Sequence, residues 1–150
     1  MKNNDIVIRP FATGADTQKL SLIWLEASLI SHSFIGERRL LDQRALIEDK
    51  YLPNAETWVA QLNDQPAGFI SLIDTFIGGI FVSPNRQGLG IGRQLIGHAL
   101  NVKGELTLEV YTQNTQAMGF YKAQGFQEIS RRQFDDEGYP FENARLRLMG

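Results

Sequence analysis

The run Val82-Ser83-Pro84-Asn85-Arg86-Gln87-Gly88-Leu89-Gly90-Ile91-Gly92-Arg93 is a glycine-rich loop between a strand pattern and an amphipathic helix. Its glycines let the main chain approach a ligand closely. The helix that follows presents unpaired N–H groups and the positive end of its dipole, a combination suited to phosphate oxygens. A tight structural connection is the competing reading. The loop is not a P-loop, because Gly92 is followed by Arg93 and Gln94. It is a poor dinucleotide fingerprint as well, since G-L-G-I-G has the wrong third spacing and follows antiparallel strands.

A second stretch, Leu108 to Phe126, contains Glu109 on a strand pattern and Asn114, Ala117, Phe120 and Tyr121 on a helix pattern. Asn114 suits an N-cap, and Gly125 suits the left-handed residue that ends a helix. Tyr121 is a phenol able to donate a proton. Either Phe120 or Tyr121 could equally be a core aromatic. Along the strand, Leu106, Leu108 and Val110 alternate with Thr107, Glu109 and Tyr111, so Glu109 shares a face with Tyr111. Its carboxylate is either a base or a structural partner for an arginine.

Composition narrows the classes of function. The 150 residues are 43% hydrophobic, 10% aromatic and 21% charged, enough for one packed domain over 1–150 and too apolar for a disordered chain. With 15 basic and 17 acidic residues the formal charge is −2, so nucleic acid is not the expected partner. The chain has no cysteine and only His32 and His98, which argues against disulfides, a cysteine nucleophile and a metal site. His98 is assigned no role. The start lacks a signal-peptide pattern and no apolar run is long enough for a bilayer, so the expectation is a cytoplasmic protein without a membrane partner, monomeric or homodimeric.

The elements that must position these residues follow from periodicity. Ile6 to Ile8 reads as a strand, Thr13 to Ser31 as a helix with Leu20, Ile23, Trp24, Ala27 and Ile30 on one stripe, and Glu37 to Tyr51 as a second helix. The second stripe is Leu40, Leu41, Ala45, Ile47 and Leu52, and Pro53-Asn54 ends it. Thr57–Leu62 and Ala67–Ile73 form a hairpin across Asn63–Pro66, and Phe76–Val82 is a third strand. A helix over Ile91–Val102, a strand over Leu106–Tyr111 and a helix over Asn114–Gln124 follow. Two last strands, Phe126–Phe134 and Phe141–Leu148, flank the turn cluster Asp135-Asp136-Glu137-Gly138.

The Q-G-L-G-I-G loop and N-x-x-A-x-x-F-Y-x-x-x-G-F, about 22 residues apart across a helix and a strand, resemble the GNAT superfamily of N-acetyltransferases. The family's Q/R-x-x-G-x-G/A loop is matched at Gln87, Gly90 and Gly92, behind Val82-Ser83-Pro84. The element order resembles the family's throughout, although the first 75 residues match in pattern rather than in motif. The resemblance implies an α/β mixed (α+β) fold, with a mostly antiparallel twisted sheet of about seven strands, about four helices, and a splay between strands four and five.

The resemblance further implies acetyl-coenzyme A as co-substrate in that splay. Backbone groups of Ile80, Phe81 and Val82 would pair with the pantetheine arm, and amides of Gln87, Gly88, Leu89, Gly90, Ile91, Gly92 and Arg93 would hold the pyrophosphate. Asn114, Ala117 and Phe120 would line the arm, with Tyr121 near the sulfur as general acid. An aliphatic amine, with a pKa near 10, must lose a proton before it attacks a thioester. Glu109, twelve residues before Tyr121 in an L-E-V strand, resembles the base of ribosomal-protein acetyltransferases. Trp24, His32, Phe34 and Tyr139 are candidates to wall the acceptor pocket. The expected activity is acetyl transfer to a primary amine of a small molecule or a peptide or protein terminus. The alternative is a catalytically silent coenzyme A sensor or interaction module with the same fold.

Overall fold

The computed structural model describes residues 6–31, 36–135 and 138–150. In chain order the elements are β1 (Ile6–Pro10), α1 (Thr17–Ser31), α2 (Glu37–Leu46), a π-helical turn (Ile47–Tyr51), the single turn α3 (Leu52–Asn54), β2 (Glu56–Leu62), β3 (Gln65–Ile73) and β4 (Phe76–Val82). A 3-10 turn (Pro84–Arg86) leads to α4 (Ile91–Lys103), β5 (Glu105–Tyr111), α5 (Thr115–Ala123), β6 (Gln127–Arg132) and β7 (Asn143–Met149). The seven strands form one sheet in the order β1-β2-β3-β4-β5-β7-β6, antiparallel except for the parallel pair β4–β5. This is the mixed α+β sheet that the motifs imply.

Each face of the sheet buries its own core. Ile70, Leu106, Leu108 and Leu146 pack against Leu95, Ile96 and Ala99 of α4 on one side. Val59 and Phe69 pack against Leu20, Ile23, Trp24, Leu40 and Leu52 on the other. Full burial of such an aliphatic side chain stabilises the fold by about 1.5–3 kcal/mol, which holds the helices onto the two faces.

The reversal between β2 and β3 is only Asn63 and Asp64, both at positive φ (54° and 64°), while Gln65 and Pro66, expected in the turn, already pair within β3. Two left-handed residues match the twist of the flanking strands. α1 begins at Thr17 rather than Thr13. Asp16 ends the incoming turn there: its carboxylate accepts the Ala12 N–H at 2.8 Å and pairs with Arg9 at 2.7 Å. The Arg9 hydrogen bond holds the Asp16 carboxyl below its usual range. Several expected stripe residues face out instead, because only one side of each helix meets the sheet: Ile30 of α1, and Leu41 and Ala45 of α2, are exposed.

The last two strands are shorter than their patterns suggest, and the later one inserts between β5 and β6. Composition accounts for the order. β6 is Gln-Glu-Ile-Ser-Arg-Arg and exposed along its length, whereas Ala144, Leu146 and Leu148 of β7 are buried. The charged strand takes the edge, where unpaired backbone meets water.

Candidate active site

β4 and β5 pair only at Phe76↔Thr107 and Ile77↔Leu108. Beyond that point they part. The cause lies in the β3–β4 register, where Leu72 faces Ile77 but Ser71 faces Gly79, so Gly78 is an extra residue that bends β4 away from β5. The β5-facing edge of Gly78–Val82 is thereby left without a strand partner. Gly79 also makes room for the Phe81 ring, which lies 2.8 Å from where a Cβ on residue 79 would stand.

The parted strands open a cleft of about 680 Å³ toward α4 and α5. Ile80, Phe81 and Val82 line one wall; Asn114, Ala117, Phe120 and Tyr121 line the other; Gln87, Gly88, Gly90, Ile91, Gly92 and Arg93 close the end. The site residues expected around the loop and α5 thus meet at one cavity, apart from Leu89, which is exposed and outside the lining. Ala27, Arg86, Gln116 and Gln124 also line the cavity, as do Ile77 to Gly79 of β4 and Leu108 to Tyr111 of β5.

The loop leads into α4 through Gly90, the N-cap, in the left-handed conformation (φ 83°, ψ 11°) and with no side chain to cap the first turn. The amides of the first helical turn are therefore uncapped, which is how a helix start binds an anion. A Cβ on Gly92 would lie 3.1 Å from the Phe120 ring, so that glycine lets the first turn of α4 approach α5. Asn114 does cap its helix: its Oδ1 accepts the Ala117 N–H at 3.1 Å.

Tyr121 packs edge-on against Phe120 and Phe126, with ring centroids 5.4 and 5.5 Å away. Burial raises its phenol above the ordinary value of 10.0, because the phenolate would have to form in apolar surroundings. The phenol therefore stays protonated at neutral pH.

Glu109 lies at the junction of this cleft and a second cavity of about 470 Å³ on the α1–α2 side of the sheet. The sequence pattern leaves Glu109 as either a base or a structural partner for an arginine. In the structure, Oε1 accepts from Arg132 at 2.8 Å, and Oε2 lies 3.5 Å from Arg145. Neither arginine stands out in sequence; the pairing exists because β7 inserts beside β5 and sets Arg145 opposite Glu109.

Trp24, Leu46, Ile47, Phe69, Ile73, Phe76 and Phe81 wall the second cavity, with Tyr111, Asp135 and Asn143 among its polar lining. Of the residues expected around an acceptor, Trp24 lines this cavity. Tyr139 does not: it is exposed, outside the lining, with the Arg39 guanidinium 3.8 Å from its ring centroid. His32 and Phe34 lie outside the described residues, as do Asp136 and Glu137. Asp135, expected to be a solvated turn charge, is buried, and ties the β6–β7 connection to Arg39 of α2 at 3.1 Å and to Tyr111 of β5 at 3.4 Å.

Comparison with known proteins agrees with this geometry. The model of the acetyltransferase (GNAT) domain matches residues 53–128, which span β2 through the start of β6. Peptidyl-lysine N-acetyltransferase YjaB of Salmonella typhimurium is 38% identical over 130 residues, covering 86% of this chain and 89% of that one. The solution structure of apo-form YjaB from Escherichia coli superposes with a TM-score of 0.87 at 35% identity, covering 97% of this chain and 99% of that one. The PaiA N-acetyltransferase of Thermoplasma acidophilum, solved in complex with coenzyme A, shares the fold with a TM-score of 0.80 at 18% identity, over 97% of this chain and 99% of that one.

The chain belongs to the GNAT acetyltransferase family and is an enzyme of the N-acetyltransferase class. Among the described residues no helix is long and apolar enough to cross a membrane.

Proposed function

We propose that the protein transfers the acetyl group of acetyl-coenzyme A to the side-chain amine of a lysine in a peptide or protein. The observation that carries the reading is the pair of cavities meeting at Glu109, one ended by an uncapped helix start and the other walled by aromatic and aliphatic side chains. The relatives named as peptidyl-lysine N-acetyltransferases support the acceptor class, and the coenzyme A complex of a fold neighbour supports the donor. A lysine stem of four methylenes suits the apolar second cavity, whereas a polycation would need acidic groups not already paired with arginine.

In this reading the free edge of Ile80–Val82 receives the pantetheine amides as an added strand, and the Gln87–Arg93 loop holds the pyrophosphate. The amine attacks the thioester carbon from the second cavity. The carbon–sulfur bond then breaks, and Tyr121 gives its proton to the departing thiolate. Glu109 takes the proton that the ammonium sheds, directly or through a water; it is the one carboxylate among the described residues that lines both cavities. The setting is the cytoplasm, where this donor and protein lysines meet.

The deciding experiment is release of coenzyme A thiol from acetyl-coenzyme A across a panel of lysine peptides, amino-terminal peptides, free amino acids and polyamines. Turnover with lysine peptides and little with the rest is expected. No turnover with any acceptor, together with tight donor binding, would make the protein a silent coenzyme A sensor.

Glu109→Gln tests the base separately, since it preserves shape while removing basicity. A fall of about 10²-fold in kcat/KM is expected for loss of a general base. A change below tenfold would make Glu109 a pillar that only holds Arg132 and Arg145.

A further inference from the structure

We propose that the open sheet face beside the second cavity selects acceptor lysines with acidic neighbours, read by Arg145 and Arg147. The inference rests on the lysine-acceptor reading above and names the sequence context of that acceptor. Along β7, Ala144, Leu146 and Leu148 point into the core, so Asn143, Arg145 and Arg147 share the opposite face. The register sets Asn143 beside Tyr111, Arg145 beside Glu109 and Arg147 beside Thr107. Asn143 is part of the cavity wall, and the Arg145 guanidinium lies 5.5 Å from the ring centroid of Phe76, another wall residue. The two arginines therefore step away from the mouth of the cavity in one line.

The charges on this face are unequal. Arg132, Arg145 and Arg147 share the carboxylates of Glu109 and Glu105. Arg145 and Arg147 each approach a carboxylate through a single nitrogen at 3.5 Å, and their side chains are 41% and 46% exposed. A guanidinium has five donors, so most of theirs have no protein partner among the described residues. Carboxylates are the groups that fit such a fork.

Spacing gives the register of the partner. Residues two apart on a strand are about 7 Å apart, in the sheet and in an extended peptide alike. A peptide that drops its lysine beside Asn143 and runs along β7 brings residues two and four positions from the lysine next to Arg145 and Arg147. Aspartate or glutamate at those positions is the matching partner.

The test uses the full-length protein and three peptide series with one central lysine, flanked at two and four positions on either side by glutamate, alanine or arginine. The kcat/KM ratio of the glutamate to the alanine series is expected to be about three- to tenfold, the range for two exposed charge pairs, and to shrink with added salt. The arginine series is expected to fall below alanine. In R145Q/R147Q the glutamate-to-alanine ratio should approach one; because it is taken within one variant, a general loss of rate does not disturb it.

Equal rates for the three series, or an acidic preference kept by the double variant, would overturn the proposal. The same peptides with norleucine in place of lysine, labelled and followed by fluorescence anisotropy, decide it without chemistry. Stronger binding of the acidic series, weakened in R145Q/R147Q, supports the docking face even if no lysine is acetylated. Equal binding of all three overturns it.

Discussion

Tyr121→Phe is expected to lower kcat by about 10²–10⁴-fold while leaving acetyl-coenzyme A affinity nearly unchanged, the loss typical of a general acid. Only the hydroxyl is removed. The ring keeps its edge contacts with Phe120 and Phe126, so the wall of the cleft stays in place. Among the described residues the phenol oxygen has no hydrogen-bond partner, so its removal leaves no other polar group unpaired. Burial shifts the phenol upward, which keeps it protonated through neutral and mildly alkaline solution. Loss of the acid by ionisation therefore contributes no alkaline limb below the ordinary tyrosine range. Steady-state kinetics with a donor-binding isotherm separates the two effects. Wild-type kcat in the variant would mean that water or the acceptor protonates the thiolate.

The second large effect is on the donor. Acetyl-coenzyme A at a hundred times its Kd is expected to stabilise the wild type by about 2.7 kcal/mol, because a ligand that binds only the folded state stabilises it by RT ln(1 + [L]/Kd). Gly90→Val should abolish this stabilisation. Residue 90 has φ 83°, where a β-branched side chain is strained, and a Cβ there would meet the Arg93 guanidinium at 3.4 Å. Relief of the strain would turn the first amides of α4 away from the pyrophosphate. Thermal melts with and without donor give the answer, and a folded variant with an unchanged shift would remove the loop from the donor site. Gly90→Ala, with less side chain at the same φ, is expected to lose less.

Most of the cleft proposed for the donor is legible along the chain, because its determinants are local. A glycine at a helix start, the Asn114 cap and the Phe120-Tyr121 pair each act within a few residues of one another, and their spacing survives folding unchanged. The alternation that buries Leu106, Leu108 and Val110 while leaving Glu109 on the other face is likewise a property of one strand.

The second cavity, proposed for the acceptor, required the tertiary structure. Which strand lies beside β5 depends on two candidate neighbours competing for a central position, and β7 prevails over charged β6 by burying Ala144, Leu146 and Leu148. That outcome alone brings Arg145 to Glu109, 36 residues away in sequence. The burial of Asp135 against Arg39 spans 96 residues; it follows from packing between α2 and the β6–β7 connection, so the same charge reads as a solvated turn residue in sequence. The splay, too, depends on a register shift at Gly78, an event of pairing between strands that no single strand's pattern carries.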